Sequence, residues 1–576
     1  MKKWMVAAKK ADFDAIAGKF NISPMLARII RNRDVIGDEA IGMYLNGTVK
    51  DMHDPHLLKD IDRAAGIICA AVKSGTKIFV IGDYDIDGVC SSYILLKGIK
   101  GIGGDVTVRL PDRVADGYGM NAGMVDEAID QGAGIILTCD NGIAAYDEIK
   151  YAKDNGLTVI VTDHHEVPFE DDKGEKRFKV PPADAVVDPK QEDCLYPFSE
   201  ICGGMVAYKL MQCVFELAGK GSEMLDELLM FAGFATVGDV MELKDENRIA
   251  VKFTIDKLKT TDNIGMNCLI DVTGIDRMRI SPYHIGFILG PCINATGRLD
   301  SATRALDMLM ASSHEEALKT AEELKSLNDS RKEMTDKFRD KAIEMIDSDE
   351  SYRDNRVLVV FLPDCHESLA GIIAGRIREK YCKPSIVLTR SEDCVKGSGR
   401  SIDAYDMHEE LTKCNDLFIK FGGHKMAAGL SLDEENVDEL RRRLNENCKL
   451  TDEEMADKLT ADIALPLEYA TMDLAKEIEL LEPYGVGNPK PLFAIKDIKV
   501  SDIKVFGKNR NVVKMKLSPS SGRVRADAVM FGDGDEIADG LKAQDTISVM
   551  YELGINEYNG SRSAQLTIRD WRGNGA

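Results

Sequence analysis

The sequence predicts an α/β protein of several domains: a parallel-sheet domain, a long linking helix, a second α/β domain and a small β-barrel at the end. Three observations predict it. Short apolar, β-rich runs alternate with helix-compatible stretches from about Thr76 onward. A charged, periodic stretch without Gly or Pro covers 313–349. Beyond Pro489 the pattern changes to short strands broken by Gly and Asn.

The first four runs are Lys77–Ile81, Val106–Leu110, Gly134–Thr138 and Leu157–Val161. Near-continuous apolar runs of this length read as parallel strands buried on both faces. Each ends in polar residues, and ligands of open parallel sheets bind beyond the carboxyl ends of strands. Leu318, Ala321, Leu324 and Leu327 recur at helical spacing in the linking stretch. Val357–Phe361 and Ser385–Leu388 flank a helical Leu369–Tyr381 segment. Gly485-Val486-Gly487-Asn488-Pro489 reads as a turn-rich joint, and Val512–Leu517, Val524–Phe531, Thr546–Leu553 and Ala564–Ile568 read as barrel strands. The expected division is an N-terminal segment 1–50, a catalytic domain 51–312, a linker helix 313–349, a substrate-binding domain 350–450 and the barrel domain 451–576.

Composition narrows the setting. The 576 residues suit about three or four domains. No run approaches the ~18 apolar residues of a membrane span. The start, Met1 to Lys10, has positive charge but no apolar core behind it, so no secretory signal is expected. Thirteen cysteines, none in a Cys-x-x-Cys pair, predict reduced thiols in a cytoplasmic protein. The net charge of −23 is unfavourable for binding a polyanion, but Pro491–Ala576 carries 13 Lys and Arg against 11 Asp and Glu, so a locally basic surface is compatible with it.

The chemistry gathers at the strand ends. Asp83-Tyr84-Asp85-Ile86-Asp87-Gly88 puts three carboxylates into five positions, a donor set suited to hard divalent cations. A calcium loop of the EF-hand type would need Glu at its twelfth position, where Ile94 stands. Cys139-Asp140-Asn141-Gly142 and Thr162-Asp163-His164-His165-Glu166 add ligand-type residues to the same edge. An isolated Asp-Asn-Gly is usually a turn, and adjacent histidines are often solvated; together at one edge they read as metal ligands with partners that orient them. Gly397-Ser398-Gly399-Arg400-Ser401 offers backbone N–H groups, a hydroxyl and a guanidinium to an oxyanion; its ordinary reading is a turn beside a solvated arginine.

Asp-x-Asp, then Asp-Asn-Gly, then Asp-His-His, then Asp239 in Thr236-Val237-Gly238-Asp239-Val240-Met241 resembles the motif order of the DHH phosphoesterase family. The resemblance implies a DHH domain holding two divalent metal ions, Mn²⁺ or Mg²⁺. By it, the ligands are Asp83, Asp85, Asp140, His164 and Asp239, with Asp140 as the bridge. Asp87, Asp163 and His165 are then catalytic residues that orient ligands or move protons.

Further segments resemble the single-strand-specific DNA exonucleases of that family. These include Pro111-Asp112-Arg113, Asp116-Gly117-Tyr118-Gly119, Glu246-Asn247-Arg248, Gly290 to Arg298, and Gly422-Gly423-His424 in a DHH-associated domain. The resemblance implies an OB fold for the barrel and 5′-to-3′ hydrolysis of single-stranded DNA in repair and recombination. It places Arg113, Ser398 and Arg400 on the 5′-terminal phosphate and Tyr118 against a base, with Asn294, Arg298, Gly422, Gly423 and His424 as further substrate contacts. A helicase and a single-strand-binding protein are the expected protein partners of a monomer with no membrane contact. The chain departs from the family pattern at Ile81, Asp188 and Cys292, where many relatives carry His, Asn and Arg. A small-nucleotide phosphatase and a metal-free binding scaffold are the rival readings. The barrel speaks against the first, and the complete ligand set against the second.

Overall fold

The computed structural model describes every residue except Met1, 113–115, 118, 173–174, 520–521, 523, 559 and 574–576, so Arg113 and Tyr118 lie outside the described residues. The chain forms two compact units, one of residues 5–297, 301–322 and 460–576, the other of 1–4, 298–300 and 323–459.

In the first unit, β1 (Ile78–Ile81), β2 (Val106–Arg109), β3 (Ile135–Cys139), β4 (Thr158–Thr162) and β5 (Ala185–Val187) form a sheet that is parallel throughout, in the order β2-β1-β3-β4-β5. The winding direction reverses between β1 and β3, which opens a crevice beyond their carboxyl ends. β1, β3 and nearly all of β4 are buried. One reason is α1 (Ile86–Gly101), which follows the first acidic loop and is buried on almost every side. It packs against α2 (Gly203–Leu217) and α3 (Leu225–Gly238), and α3 packs in turn on α4 (Asp245–Leu258). Further on come α5 (Gly290–Leu299) and α6 (His314–Ser348), the 35-residue helix of the predicted linking stretch.

The second unit contains a mixed sheet of β6 (Leu358–Phe361), β7 (Ser385–Arg390), β8 (Val395–Arg400), β9 (Phe418–His424) and β10 (Ala427–Leu432), ordered β9-β10-β8-β7-β6. Only β6 and β7 run parallel. This placement corrects one expectation. Gly397 to Arg400 is not a turn but part of a central strand, and its backbone N–H groups are engaged by β7 on one side and β10 on the other. They are not free to meet an oxyanion; only the side chains of Ser398 and Arg400 remain for that task.

The barrel comprises β11 (Leu492–Phe506), β12 (Val512–Pro519), β13 (Ala526–Phe531), β14 (Thr546–Tyr558) and β15 (Ser561–Gly573). They follow the order β11-β12-β13-β15-β14, and β14 returns to pair with β11, closing the sheet as in an OB fold. The N-terminal segment completes its core. Leu26, Ile29, Ile30, Ile41 and Tyr44, from helices Pro24–Asn32 and Asp38–Asn46, lie in one apolar cluster with Phe493, Val513, Val549 and Leu566 of the barrel.

Buried polar groups tie barrel, N-terminal helices and catalytic core together. The Arg248 guanidinium, on a residue only 3% exposed, donates to five carbonyls: Tyr44 at 2.9 Å, Leu480 at 3.3 Å, Leu481 at 2.9 Å, Glu482 at 2.6 Å and Pro483 at 3.3 Å. It also stacks 4.1 Å from the Tyr44 ring. Beside it Glu246 and Lys209 form a fully buried ion pair at 2.8 Å, and Leu243 N donates to Val486 O at 2.7 Å. The predicted joint is therefore pinned: Asn488 accepts from Arg33 and Tyr44 and donates to Leu481 O and Pro483 O. Replacing Arg248 with Met removes the guanidinium from all five carbonyls, and only those of Leu481 and Pro483 keep a donor, from Asn488. The expected loss is on the order of 3 kcal/mol or more, because each buried carbonyl left unpaired costs about 1–3 kcal/mol. It reads out as a lowered denaturant midpoint, and an unchanged midpoint would remove the network from any account of stability.

Candidate metal centre

Three loops at the carboxyl ends of β1, β3 and β4 bring the predicted ligands together with Asp239 at the end of α3. After β1, Asp83 is fully buried. Its Oδ1 accepts from Tyr84 N at 2.7 Å, while its Oδ2 has no hydrogen-bond partner. Asp85 caps α1, accepting from Asp87 N at 3.0 Å and Gly88 N at 3.1 Å. Asp87 is held differently. Its two carboxylate oxygens accept from Gly203 N and Gly204 N, both at 2.7 Å, at the positive end of α2.

The Asp-Asn-Gly turn after β3 divides its labour residue by residue. Asp140 has φ +60°, a left-handed conformation that Asp tolerates better than most residues. Asn141 ties two strand ends, donating to Ile81 O at 3.1 Å and Cys139 O at 2.9 Å. Gly142 has φ +115°, and a Cβ there would lie 2.5 Å from Thr138 Oγ1. After β4, Asp163 accepts from Ile143 N, His164 N, His165 N and the His165 ring. Thus Asp163 fixes His165 and locks the second loop to the third.

His164 stands at the centre of the carboxylates. Its Nε2 lies 3.1 Å from Asp140 Oδ1, 3.5 Å from Asp87 Oδ2 and 3.7 Å from Asp239 Oδ2. The nearest of these contacts lacks hydrogen-bond alignment, and both Asp140 Oδ1 and His164 Nδ1 are buried without a partner. Three sets of ligand-type atoms lie within 4.8 Å of one another: Asp83, Asp85 and Asp140; Asp140, His164 and His165; Asp87, His164 and Asp239. Asp140 joins the first set to the second.

Such crowding shifts the acids upward. Burial, then the neighbouring Asp85, raises Asp83 to about 7, and burial with Asp87 and Asp85 raises Asp239 to about 8. Asp85 and Asp140 are raised by the same causes, Asp140 strongly. Burial holds His164 below the usual imidazole range. At His165 burial acts against the charge, but the Asp163 hydrogen bond at 2.7 Å outweighs it and the ring reaches about 9. Burial likewise pushes Asp163 up, and its partnership with His165 more than offsets this, leaving it below the ordinary range. Unpartnered, buried carboxylate oxygens around one imidazole are a donor set for Mn²⁺ or Mg²⁺, so the residues fit a pair of such ions.

Four residues contribute in ways the motifs do not show. Gly203 and Gly204 supply the N–H groups for Asp87, and a Cβ on Gly203 would lie 2.8 Å from Asp140 Cβ. A glycine pair opening a helix was the available signal. Asn294 Oδ1, expected on substrate, accepts from Ile86 N at 2.8 Å and so anchors the first loop. Asp188 is fully buried after β5 with Oδ2 unpartnered, and burial raises it to about 8.

The remaining predicted residues belong to the second unit. Arg400 Nη1 donates to Ser398 Oγ at 3.0 Å and Gly399 O at 2.8 Å, and Arg298 Nη1 donates to Ser368 O at 2.7 Å. A Cβ on Gly371 would lie 2.8 Å from Arg400 Nη2 and 2.9 Å from Ser398 Oγ, so both side chains rest on the first turn of helix Ala370–Tyr381. Gly422, Gly423 and His424 end the exposed edge strand β9, where Gly423 has φ +148°.

Comparisons with known proteins agree with this architecture. Residues 77–236 match the DHH family, N-terminal domain, 354–450 the DHHA1 domain and 461–570 the RecJ OB domain. Sheet, acidic edge and domain matches define a DHH-type protein. The chain is 34% identical to the single-stranded-DNA-specific exonuclease RecJ of Bacillus subtilis, over 99% of this chain and 70% of that one. With the Haemophilus influenzae protein of the same name it shares 30% identity over 95% of each. The crystal structure of RecJ in complex with Mn²⁺ from Thermus thermophilus superposes with a TM-score of 0.82 at 26% identity, covering 100% of this chain and 80% of the other. The chain belongs to the RecJ family.

A carboxylate raised on folding stabilises the fold below its unfolded pKa, and that contribution is lost as pH rises through its folded value. Asp83 and Asp239, at about 7 and about 8, therefore weaken the metal-free chain between about pH 4 and 8. Asp140→Asn should be more stable than the wild type at pH 8 in EDTA, yet gain little from Mn²⁺. Thermal denaturation with and without Mn²⁺ checks both; a variant less stable in EDTA would contradict the repulsion.

Proposed function

We propose that the chain is a two-metal phosphodiesterase that degrades single-stranded DNA from the 5′ end, in DNA repair and recombination. The observation that carries this reading is Asp140, shared between adjacent ligand sets at the crevice of a parallel sheet. The proposed ligands are Asp83, Asp85, Asp140, His164 and Asp239. Mn²⁺ or Mg²⁺ bound there supplies Lewis acidity for water attack at phosphorus and for the departing oxygen.

The chain's own residues do the rest. Asp87, fastened to α2, and Asp85, fastened to α1, keep their carboxylates from turning away. Asp163 accepts from the His165 ring and fixes its orientation, which places His165 to pass a proton to the leaving oxygen. In the second unit, Ser398 and Arg400 on the first turn of helix Ala370–Tyr381 suit a terminal phosphate, whose charge favours a helix N-terminus. Hydrolysis that leaves a new 5′-phosphate on the shortened strand restores the group this pocket takes.

The barrel favours a polyanion as well. Lys504 and Lys514 face each other across β11 and β12, both exposed, with exposed Lys516 on the same strand as Lys514. Like charges directly opposite are destabilising on their own. Beside them, exposed Phe506 and Phe531 offer faces to bases, and Lys514 lies 5.3 Å from the Phe506 ring. In this reading 51–312 is the hydrolytic domain, 350–450 binds the strand end and 451–576 holds the strand. A nuclease restricted to single strands needs a helicase to supply them and meets a single-strand-binding protein on them. All thirteen cysteines are free thiols, which suits a cytoplasmic protein. Among the described residues no helix is long and apolar enough to cross a membrane.

Digestion of a 3′-labelled single strand of about thirty nucleotides with Mn²⁺ should give a ladder of shortening products. EDTA or Asp140→Ala should abolish it, and blunt duplex should resist. Short labelled products at the outset would mean attack from the 3′ end and would overturn the polarity. In the same assay Arg400→Ala should reduce the preference for 5′-phosphorylated over 5′-hydroxyl strands roughly tenfold or more, as for a lost charge-assisted hydrogen bond. An unchanged preference rejects the pocket.

A further inference from the structure

On a turn packed against the ligand-bearing segments the chain exposes two aromatic rings that no part of the mechanism uses. Tyr283 is 61% and Phe287 62% exposed, with Met278 nearby in sequence at 71%. Four residues apart, the two rings fall on one side of a turn and stack, centroids 5.1 Å apart and planes 26° from parallel. The opposite side is anchored, since Ile285 and Leu289 are fully buried. The backbone at Ile285–Leu289 is a π-helical turn, a distortion found mostly at functional positions.

This turn is attached to both segments that carry ligands. A Cβ on Gly286 would lie 3.7 Å from Val237, two residues before Asp239, and one on Gly290 would lie 2.9 Å from Ile86, the residue after Asp85. The helix that follows directly, α5, holds the Asp85 loop through Asn294 Oδ1 and Ile86 N, 2.8 Å apart. Val240, next to Asp239, is 65% exposed with φ +61°, a conformation that a β-branched residue avoids. A strand with its scissile phosphate at the metal centre must lay its neighbouring nucleotides over the elements that flank it. Every base has a face that can stack, so a stacked aromatic pair serves any sequence.

Resting on the reading of the chain as a single-strand nuclease, we infer that Tyr283 and Phe287 form a stacking platform for one base of the substrate beside the metal centre. Their role is to position the strand; the hydrolytic groups are elsewhere.

The test measures KM and kcat on 5′-phosphorylated oligothymidylate, intact or with one abasic residue moved along the first several positions. The chains compared are wild type, Tyr283→Ala/Phe287→Ala and Tyr283→Phe/Phe287→Tyr. The alanine pair should raise KM roughly tenfold or more, the loss of one stacked base, with a smaller effect on kcat. The aromatic pair should restore it. At one position the abasic residue should raise the wild-type KM by a similar factor and leave that of the alanine pair unchanged, since the contact is already gone. An unchanged KM in the alanine pair, no rescue by the aromatic pair, or additive effects at every position would overturn the platform. A wild-type chain that digests no single strand would overturn the nuclease reading and the platform with it, a result distinct from active wild type with matching variants.

Discussion

Mutual repulsion among carboxylates held at one sheet edge is the constraint that organises this molecule. At an effective dielectric of about 20, two charges some 5 Å apart oppose each other by about 3 kcal/mol, and Asp83, Asp85, Asp87, Asp140 and Asp239 impose several such pairs. The surrounding structure can be understood as what keeps these groups in place regardless. Two glycine N–H groups at the start of α2 grip Asp87, the first turn of α1 grips Asp85, and Asp163 holds the His165 cation close by. In the metal-free fold that repulsion raises the acids' affinity for protons, and wherever they ionise it becomes the driving force for taking up cations.

That edge was legible because its signal is local. Each acidic motif follows directly on an apolar run, and the four predicted strands lie within a residue of the observed ones. What escaped depends on contacts distant in sequence. β5 has only three residues, too short to show a period. Strands β8, β9 and β10 carry so many glycines that they resemble loops, and only their register reveals that the N–H groups of Ser398 and its neighbours are already taken. β11, the first barrel strand, is hidden in the sequence because its register shifts between Ile495 and Ile498 and again between Ser501 and Lys504, which breaks the alternation of a regular strand. Gly203 and Gly204 matter because Asp87, far earlier in the chain, reaches them.

Motif residues also divide by burial into chemistry and architecture. Glu246, Asn247 and Arg248 form a signature as sharp as Asp-His-His, yet all three are buried and architectural: Arg248 serves the joint between catalytic core and barrel, while Glu246 pairs with Lys209 and Asn247 donates to the Glu200 and Glu242 carbonyls within the core. Asn294 does similar work for the first acidic loop. Ser398 and Arg400, by contrast, are only partly buried, and the Arg400 guanidinium donates to Ser398 Oγ and Gly399 O on its own strand. Where a buried polar group spends its hydrogen bonds marks it as a residue that builds the site.

The apolar faces of helices Pro24–Asn32 and Asp38–Asn46 are covered by strands that begin at Leu492. During synthesis these helices leave the ribosome well before the barrel and must wait for more than four hundred further residues before their partners exist. Such separation slows the final closure and leaves Leu26, Ile29 and Ile30 open to chaperones or wrong partners meanwhile. The barrel is therefore no detachable module: a ribosome that stops early releases a chain whose opening helices have nothing to bury them.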